Sequence, residues 1–234
     1  QSFNHTTGGG VTVSNLFADW EKSKLFSLHL GKEPIDFEVC ENVYITGYKE
    51  RTRKIFRPFV RQRNASMAYT AKPEHMPSSE TEIKLTKYSN ISKFRKLLFN
   101  IVTFCGVNHL LRHFTMSKQL KKWLDDIKPE VLYAQYSDNA SMHFIVQLHR
   151  YLHIPLIVHI MDNWISIPPI TSTQSIIREN PITRLYWEHK SKLLFMKLLF
   201  SASRRIAISE EMAIEYEKRY NLPFSWAHNY IKEE

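Results

Sequence analysis

The chain has 234 residues, 43% of them hydrophobic, and a formal net charge of +9 at pH 7. That size allows one large domain or two small ones around a real apolar core. No run is long and apolar enough to span a bilayer; the nearest, Leu97 to Leu111, is interrupted by Asn100, Thr103, Asn108 and His109 and reads as a buried helix.

Cys40 and Cys105 make no disulfide framework and point to a reducing, cytoplasmic compartment, where the Asn-x-Ser/Thr triplets at Asn4, Asn64, Asn90 and Asn139 carry no meaning. No signal peptide pattern is visible, and Gln1 in place of Met implies a removed start.

Three of the six glycines stand together as Gly8, Gly9 and Gly10, after the polar run Gln1–Thr7 and before the apolar Val11–Trp20. Glycines opening a helix leave amide N–H groups uncovered and let a ligand approach the main chain. The positive helix end favours a phosphate or sugar-phosphate there. A tight turn before a helix explains the same residues.

Phe26–Leu30 and Val43–Thr46 read as short strands. Between residues 49 and 63, Lys49, Arg51, Arg53, Lys54, Arg57, Arg61 and Arg63 are opposed only by Glu50. Such a stretch suits anionic lipid or nucleic acid, and Phe56 and Phe59 fit membrane docking or base stacking; a solvated helix face explains it equally. Helical patterns follow near Lys54–Gln62 and Ile91–Cys105, with 65–90 as a polar loop or insertion between them. Leu120, Trp123 and Leu124 place a helix over Ser117–Ile127, broken by Lys128-Pro129-Glu130.

From there strand and helix alternate. Val131–Gln135 is a strand, Tyr136–Asn139 the loop with Asp138 or Asn139 as cap, and Ala140–Tyr151 a helix. Leu156–Met161 is a strand ended by Asp162-Asn163-Trp164, and Pro181–Ala202 a long helix. Arg205–Ser209 is a strand, Glu210–Tyr220 a helix and Ser225–Asn229 a last strand. This alternation predicts an α/β fold with a doubly wound, mainly parallel, Rossmann-like sheet. Ligands of such sheets lie outside the carboxyl ends of the strands, which would bring Gly8–Gly10, Tyr136–Asn139, Asp162–Trp164, Ser209 and Glu210 to one rim.

Five stretches then carry a resemblance: Gly8–Leu16, Ile127–Tyr133, Ile154–Asp162, Arg205–Met212, and Tyr220–Phe224 with His228–Ile231. In order and spacing the chain resembles the N-terminal, acceptor-binding half of a retaining GT-B glycosyltransferase of the kind that builds bacterial surface polysaccharides. The resemblance implies residues 1–228 as that domain and 229–234 as the start of the link to a donor domain beyond Glu234. It implies a first strand ending before Gln1, a glycan or lipid-linked acceptor, and a nucleotide-sugar donor as co-substrate, with no cofactor or metal. It also implies a glycine loop against the donor phosphates. Many relatives have His-Asp where this chain has Met161-Asp162, so the resemblance does not carry that histidine's acceptor contact over to this chain; His159, two residues earlier, falls on the same strand face as Met161 but deeper. Glu74 and Glu82 match the spacing of the donor domain's paired glutamates but stand in the wrong half of the fold and read as chance.

Sugar transfer needs a stabilised diphosphate and an oriented hydroxyl. Backbone amides at Thr7, Gly8, Gly9 and Gly10 suit the first, and Asp162 or Asp138 the second, with Asp162 as the candidate catalytic carboxylate. Tyr136, Asn139, Asn163, Ser209 and Glu210 complete the candidate substrate-binding set. Capping explains the aspartates, Ser209 and Glu210 as well. No Asp-x-Asp occurs, and His149 and His153 lack the glutamate of a zinc protease. A non-catalytic carbohydrate-binding or membrane-docking module of the same fold is the second reading. A nucleic-acid-binding domain is the third; it needs only the charge, and no recognised motif supports it, so nucleic acid is not an expected partner.

Overall fold

In the computed structural model the described residues are 3–30, 35–53, 64–70, 101, 104, 106, 113–162 and 180–228. Helix α1 (Gly8–Leu16) begins at the three glycines, which form its first turn rather than a loop before it. The reason is an early cap: the Thr7 side chain accepts from the Gly10 amide at 3.2 Å. Behind it, Asn4 Oδ1 accepts from the amides and hydroxyls of both Thr6 and Thr7.

Strand β1 (Phe26–His29) pairs in parallel with β2 (Asn42–Ile45), and β3 (Met67–Tyr69) pairs antiparallel to β2. β3 lies inside the stretch expected to be loop. Three residues without alternation give little strand signal, and the pairing of Tyr69 with Val43 supplies what the pattern lacks. Between β2 and β3 sits the short helix α2 (Tyr48–Arg51). The helix expected near 54–62 lies outside the described residues, as does most of that near 91–105; Ile101 and Phe104 are helical.

The rest follows the expected alternation closely: α3 (Lys118–Ile127), β4 (Leu132–Ala134), α4 (Asn139–Leu152), β5 (Leu156–Ile160), α5 (Pro181–Ser201), β6 (Arg204–Ala207), α6 (Glu210–Tyr220) and β7 (Ser225–Trp226). Strands β4-β5-β6-β7 form one sheet in that order, all parallel. The fold is therefore α/β, with a mixed three-stranded sheet and an all-parallel four-stranded sheet.

Strand alternation assigns the faces. Leu156, Val158 and Ile160 join Phe195, Leu198 and Leu199 of α5 in the largest core. Tyr133, Gln135 and His159 project to the opposite face, where Phe17, just past α1, stacks edge-on against Tyr133 at 5.1 Å. Tyr133 also packs on the core that holds Val13, Leu25 and Val43, while Leu132 packs on the one that holds Tyr44, Leu120 and Phe144. The two sheets thus share cores on both faces although no strand of one pairs with a strand of the other.

Three helices end on a residue with positive φ: Lys128 (43°), His153 (54°) and Asn221 (53°). Each has a proline one or two residues on, which stops the helix. The end of α5 is closed differently. Buried Arg205 donates from Nε to the Leu199 carbonyl and from Nη2 to that of Ala202, at 2.7 and 2.8 Å.

Candidate functional site

Parallel order puts the carboxyl ends of β4, β5 and β6 on one edge. The segments leaving that edge are Gln135–Asp138, Met161–Asp162 and Ile208–Glu210. Asp138 is the N-cap of α4: its carboxylate accepts from the Ser141 amide at 2.8 Å, and the Ser141 hydroxyl accepts in return from the Asp138 amide at 3.0 Å. Ser209 caps α6 by accepting from the Met212 amide at 3.3 Å. Glu210 is exposed in the first turn, where a negative charge meets the positive helix end. All three have a structural task at the rim.

Asn139 donates from Nδ2 to the Ser191 hydroxyl at 2.6 Å, joining α4 to α5, while its Oδ1 is buried without a hydrogen-bond partner. Tyr136 points inward: its ring is buried against Phe195, with centroids 5.7 Å apart. Burial pushes its hydroxyl far above the usual tyrosine range, and the Asp162 charge adds to that. Asp162 itself is exposed on the rim, and Met161 beside it is half-buried. Asn163 lies outside the described residues.

The segment leading into the glycine turn is tied to the connection between β1 and β2. The Asp36 amide, in the segment after β1, donates to the Phe3 carbonyl at 2.8 Å, and His5 pairs with Asp36 at 2.7 Å. Gly10 is buried with no room for a Cβ, because the Asn4 carboxamide fills that space; Gly8 is open to solvent. The amides of Gly10 and Val11 are used within the turn by Thr7. Those of Gly8 and Gly9 point out of the helix start. Close approach at residue 10 is therefore to the protein's own Asn4, and the glycine that faces outward is Gly8, with Gly9 half-buried beside it.

A second polar group lies under α1, and only its histidine stood out in the sequence, as a residue deeper than Met161 on the same strand face. Gln135 donates from Nε2 to the Tyr133 hydroxyl at 3.3 Å. The hydroxyl is 2.5 Å from His159 Nδ1 and shares a hydrogen bond with it, the direction set by the histidine tautomer. Burial drives the His159 pKa down to about 4 and the Tyr133 pKa up to about 12, so both are neutral at physiological pH. His159 Nε2, Gln135 Oε1 and the hydroxyl of Ser14, one turn before Phe17, are buried without hydrogen-bond partners. Polar residues two apart on a buried strand, Tyr133 and Gln135, were the available signal.

In the basic stretch, Lys49 is exposed and Arg51 donates from Nε to the Thr46 hydroxyl at 3.0 Å; residues 54–63 lie outside the described residues. Glu50 turns inward and is fully buried. Its carboxylate accepts from the Tyr44 hydroxyl (3.2 Å), the Gly47 amide (2.9 Å) and the Ser66 hydroxyl (2.6 Å). His149 bonds the Ile154 carbonyl at 3.0 Å, and His153 closes α4. Among the described residues no group of His, Cys, Asp or Glu could hold a metal ion. A depression of about 450 Å³ between α3 and α4, lined by Met116, Lys121, Arg150 and Tyr151 among others, lies toward the far end of α4 from the rim.

No protein-family model, no curated protein and no solved structure matches this chain.

Proposed function

We propose that the chain is the acceptor-binding, Rossmann-like half of a glycosyltransferase, which transfers a sugar from a nucleotide-sugar donor to a glycan or lipid-linked acceptor in polysaccharide biosynthesis at the cytoplasmic membrane face. The observation that carries this reading is the start of α1. Exposed Gly8 and half-buried Gly9 sit on a turn held by Asn4 and Thr7, with no side chain at Gly8 to obstruct a diphosphate. Amides fixed in advance stabilise a departing diphosphate without reorganisation. Exposed Asp162, at the carboxyl end of the parallel β5, supports a role in orienting or deprotonating the acceptor hydroxyl. The remaining rim residues help in a different way. Asp138 and Ser209 fix the starts of α4 and α6 at the rim, and Tyr136 anchors the segment after β4 in the core.

The test is sugar transfer by the protein with its natural continuation, assayed over a panel of nucleotide sugars with polyprenyl-phosphate-linked and free glycan acceptors. Asp162→Asn should lower kcat by a factor of about 100 or more if it is the general base. Gly9→Val should abolish transfer while the fold stays intact by circular dichroism. Glycan binding with no transfer from any donor would instead support a non-catalytic carbohydrate-binding module.

A further inference from the structure

Helix α5 is apolar on two opposite sides. Its inner side carries Phe195, Leu198 and Leu199, all fully buried. At 3.6 residues per turn, Ile182, Leu185, Tyr186, Leu193, Met196 and Phe200 fall within an arc of about 100° on the other side, which also holds exposed His189. All six are exposed, Ile182 by 81%, Leu185 by 69% and Phe200 by 63%. A helix that is apolar all round is normally buried all round. Among the described residues nothing lies over the outer stripe of α5, along a helix about 31 Å long.

The charges beside the stripe decide what covers it. Lys190 and Lys197 border one edge and Lys192 the other. The nearby acid, Glu188, is engaged by Arg184 of the same helix at 3.5 Å. Lys190 sits over the Tyr186 ring, 5.4 Å from its centroid, so the aromatic and the cation present themselves together. Two copies docking stripe to stripe would bring their lysines together without matching acids, and like charges brought together repel. A lysine-bordered face of leucine, methionine and aromatic residues matches a negatively charged lipid interface. Among the described residues no helix is long and apolar enough to cross a membrane, so α5 would lie on the surface rather than pass through it.

We propose that the outer face of α5 docks the protein on an anionic lipid surface, with Leu185, Leu193 and Phe200 entering the headgroup boundary and Lys190, Lys192 and Lys197 meeting lipid phosphates. This surface is separate from the 49–63 basic stretch and does not depend on sugar transfer.

The experiment is flotation of the full chain with phosphatidylcholine vesicles made with and without phosphatidylglycerol. Binding should require phosphatidylglycerol and weaken as salt rises. Leu185→Glu with Phe200→Glu, both at exposed positions, should weaken it at least about tenfold with an unchanged circular dichroism spectrum. Lys192→Glu and Lys197→Glu should each weaken it about fivefold, a second measurement that leaves the apolar stripe intact. Lys49→Glu with Arg53→Glu should leave it within about twofold. Four results would overturn the proposal: no binding to either vesicle; full binding by the stripe and lysine variants; loss confined to the 49 and 53 variants; or a lipid-free dimer that the stripe variants dissociate.

Discussion

The Asn4 carboxamide occupies the space that a side chain on Gly10 would need. This divides the glycine run by cause. Gly10 is required by packing, while Gly8 has no atom within 4 Å of where its Cβ would stand. Gly10→Ala should therefore destabilise the fold by about 1–3 kcal/mol, the usual cost of overpacking. Gly8→Ala should stabilise it by up to about 1 kcal/mol, because alanine loses less backbone entropy than glycine in a helix. Urea unfolding of the two variants checks the contrast. If both behave alike, the Asn4 contact does not restrain residue 10.

Glu50 is the hub of the first sheet, and its replacement should be costly. Burial disfavours its charge, yet hydrogen bonds from Ser117, Ser66 and the Gly47 amide outweigh that and hold its pKa below the ordinary carboxylate value. One carboxylate thus ties β2, the start of α2, the entry to β3 and the cap of α3. Glu50→Gln should cost about 1–3 kcal/mol, because the fixed Gly47 donor then competes for one oxygen; Glu50→Ala, which strands several buried donors, should cost more. The pH dependence has a definite sign. A depressed carboxylate contributes stability above its unfolded pKa of about 4.5 and loses it as pH falls through the lower folded value. The wild type should lose stability in that acid window and Glu50→Gln should not.

The contrast between Glu50 and Asp138 explains what the sequence could and could not reveal. Asp138 acts on an amide three residues away, and Ser209 does the same, so both caps and the strands and helices around them were legible from local spacing. Glu50 meets Ser66 across sixteen residues of chain, and in the sequence it is only the single acid in a basic run. Lone β3 depends on pairing with β2, and the orphaned polar atoms of His159, Gln135 and Ser14 depend on α1 lying over β4. The parallel order of β4 to β7 was legible because strands and helices alternate, so that each crossover is helical. The inward turn of Tyr136 was not: position after a strand places a residue at the rim but does not say that Phe195 will draw its ring into the core.

His159 should give the protein a second acid-sensitive window, at higher pH than that of Glu50. Its pKa falls from 6.5 to about 4 on burial. Below pH 6.5 the unfolded chain takes up a proton that the folded chain refuses, so stability is full above 6.5 and falls until the folded histidine protonates near 4. At about 1.4 kcal/mol per pKa step, the loss totals about 3 kcal/mol. His159→Gln should be less stable than the wild type at pH 7, having lost the bond with Tyr133, but its stability should change less between pH 6.5 and 4. Urea midpoints across that range test this. Parallel curves for the two proteins would show that His159 titrates normally and is not held neutral by burial.

Capping and substrate contact make opposite predictions for Asp138. As a cap it needs only an acceptor oxygen placed for the Ser141 amide, which serine can supply. As a substrate contact it needs its charge or its length. Asp138→Ala should cost about 1 kcal/mol of stability, and Asp138→Ser should recover most of it. If capping is the whole role, the sugar transfer proposed above should recover in Asp138→Ser along with the stability. The same comparison for Ser209, with Ala and Asp in place of the serine, should restore both properties in Ser209→Asp, since aspartate caps as well as serine does. Asp162 is exposed beyond the end of β5 and has no helix to cap among the described residues, so Asp162→Asn should leave the urea midpoint within about 0.5 kcal/mol of the wild type, as surface substitutions do. A variant that keeps full stability and loses transfer separates a residue serving the reaction from one serving the rim, and of these three positions only Asp162 should behave that way.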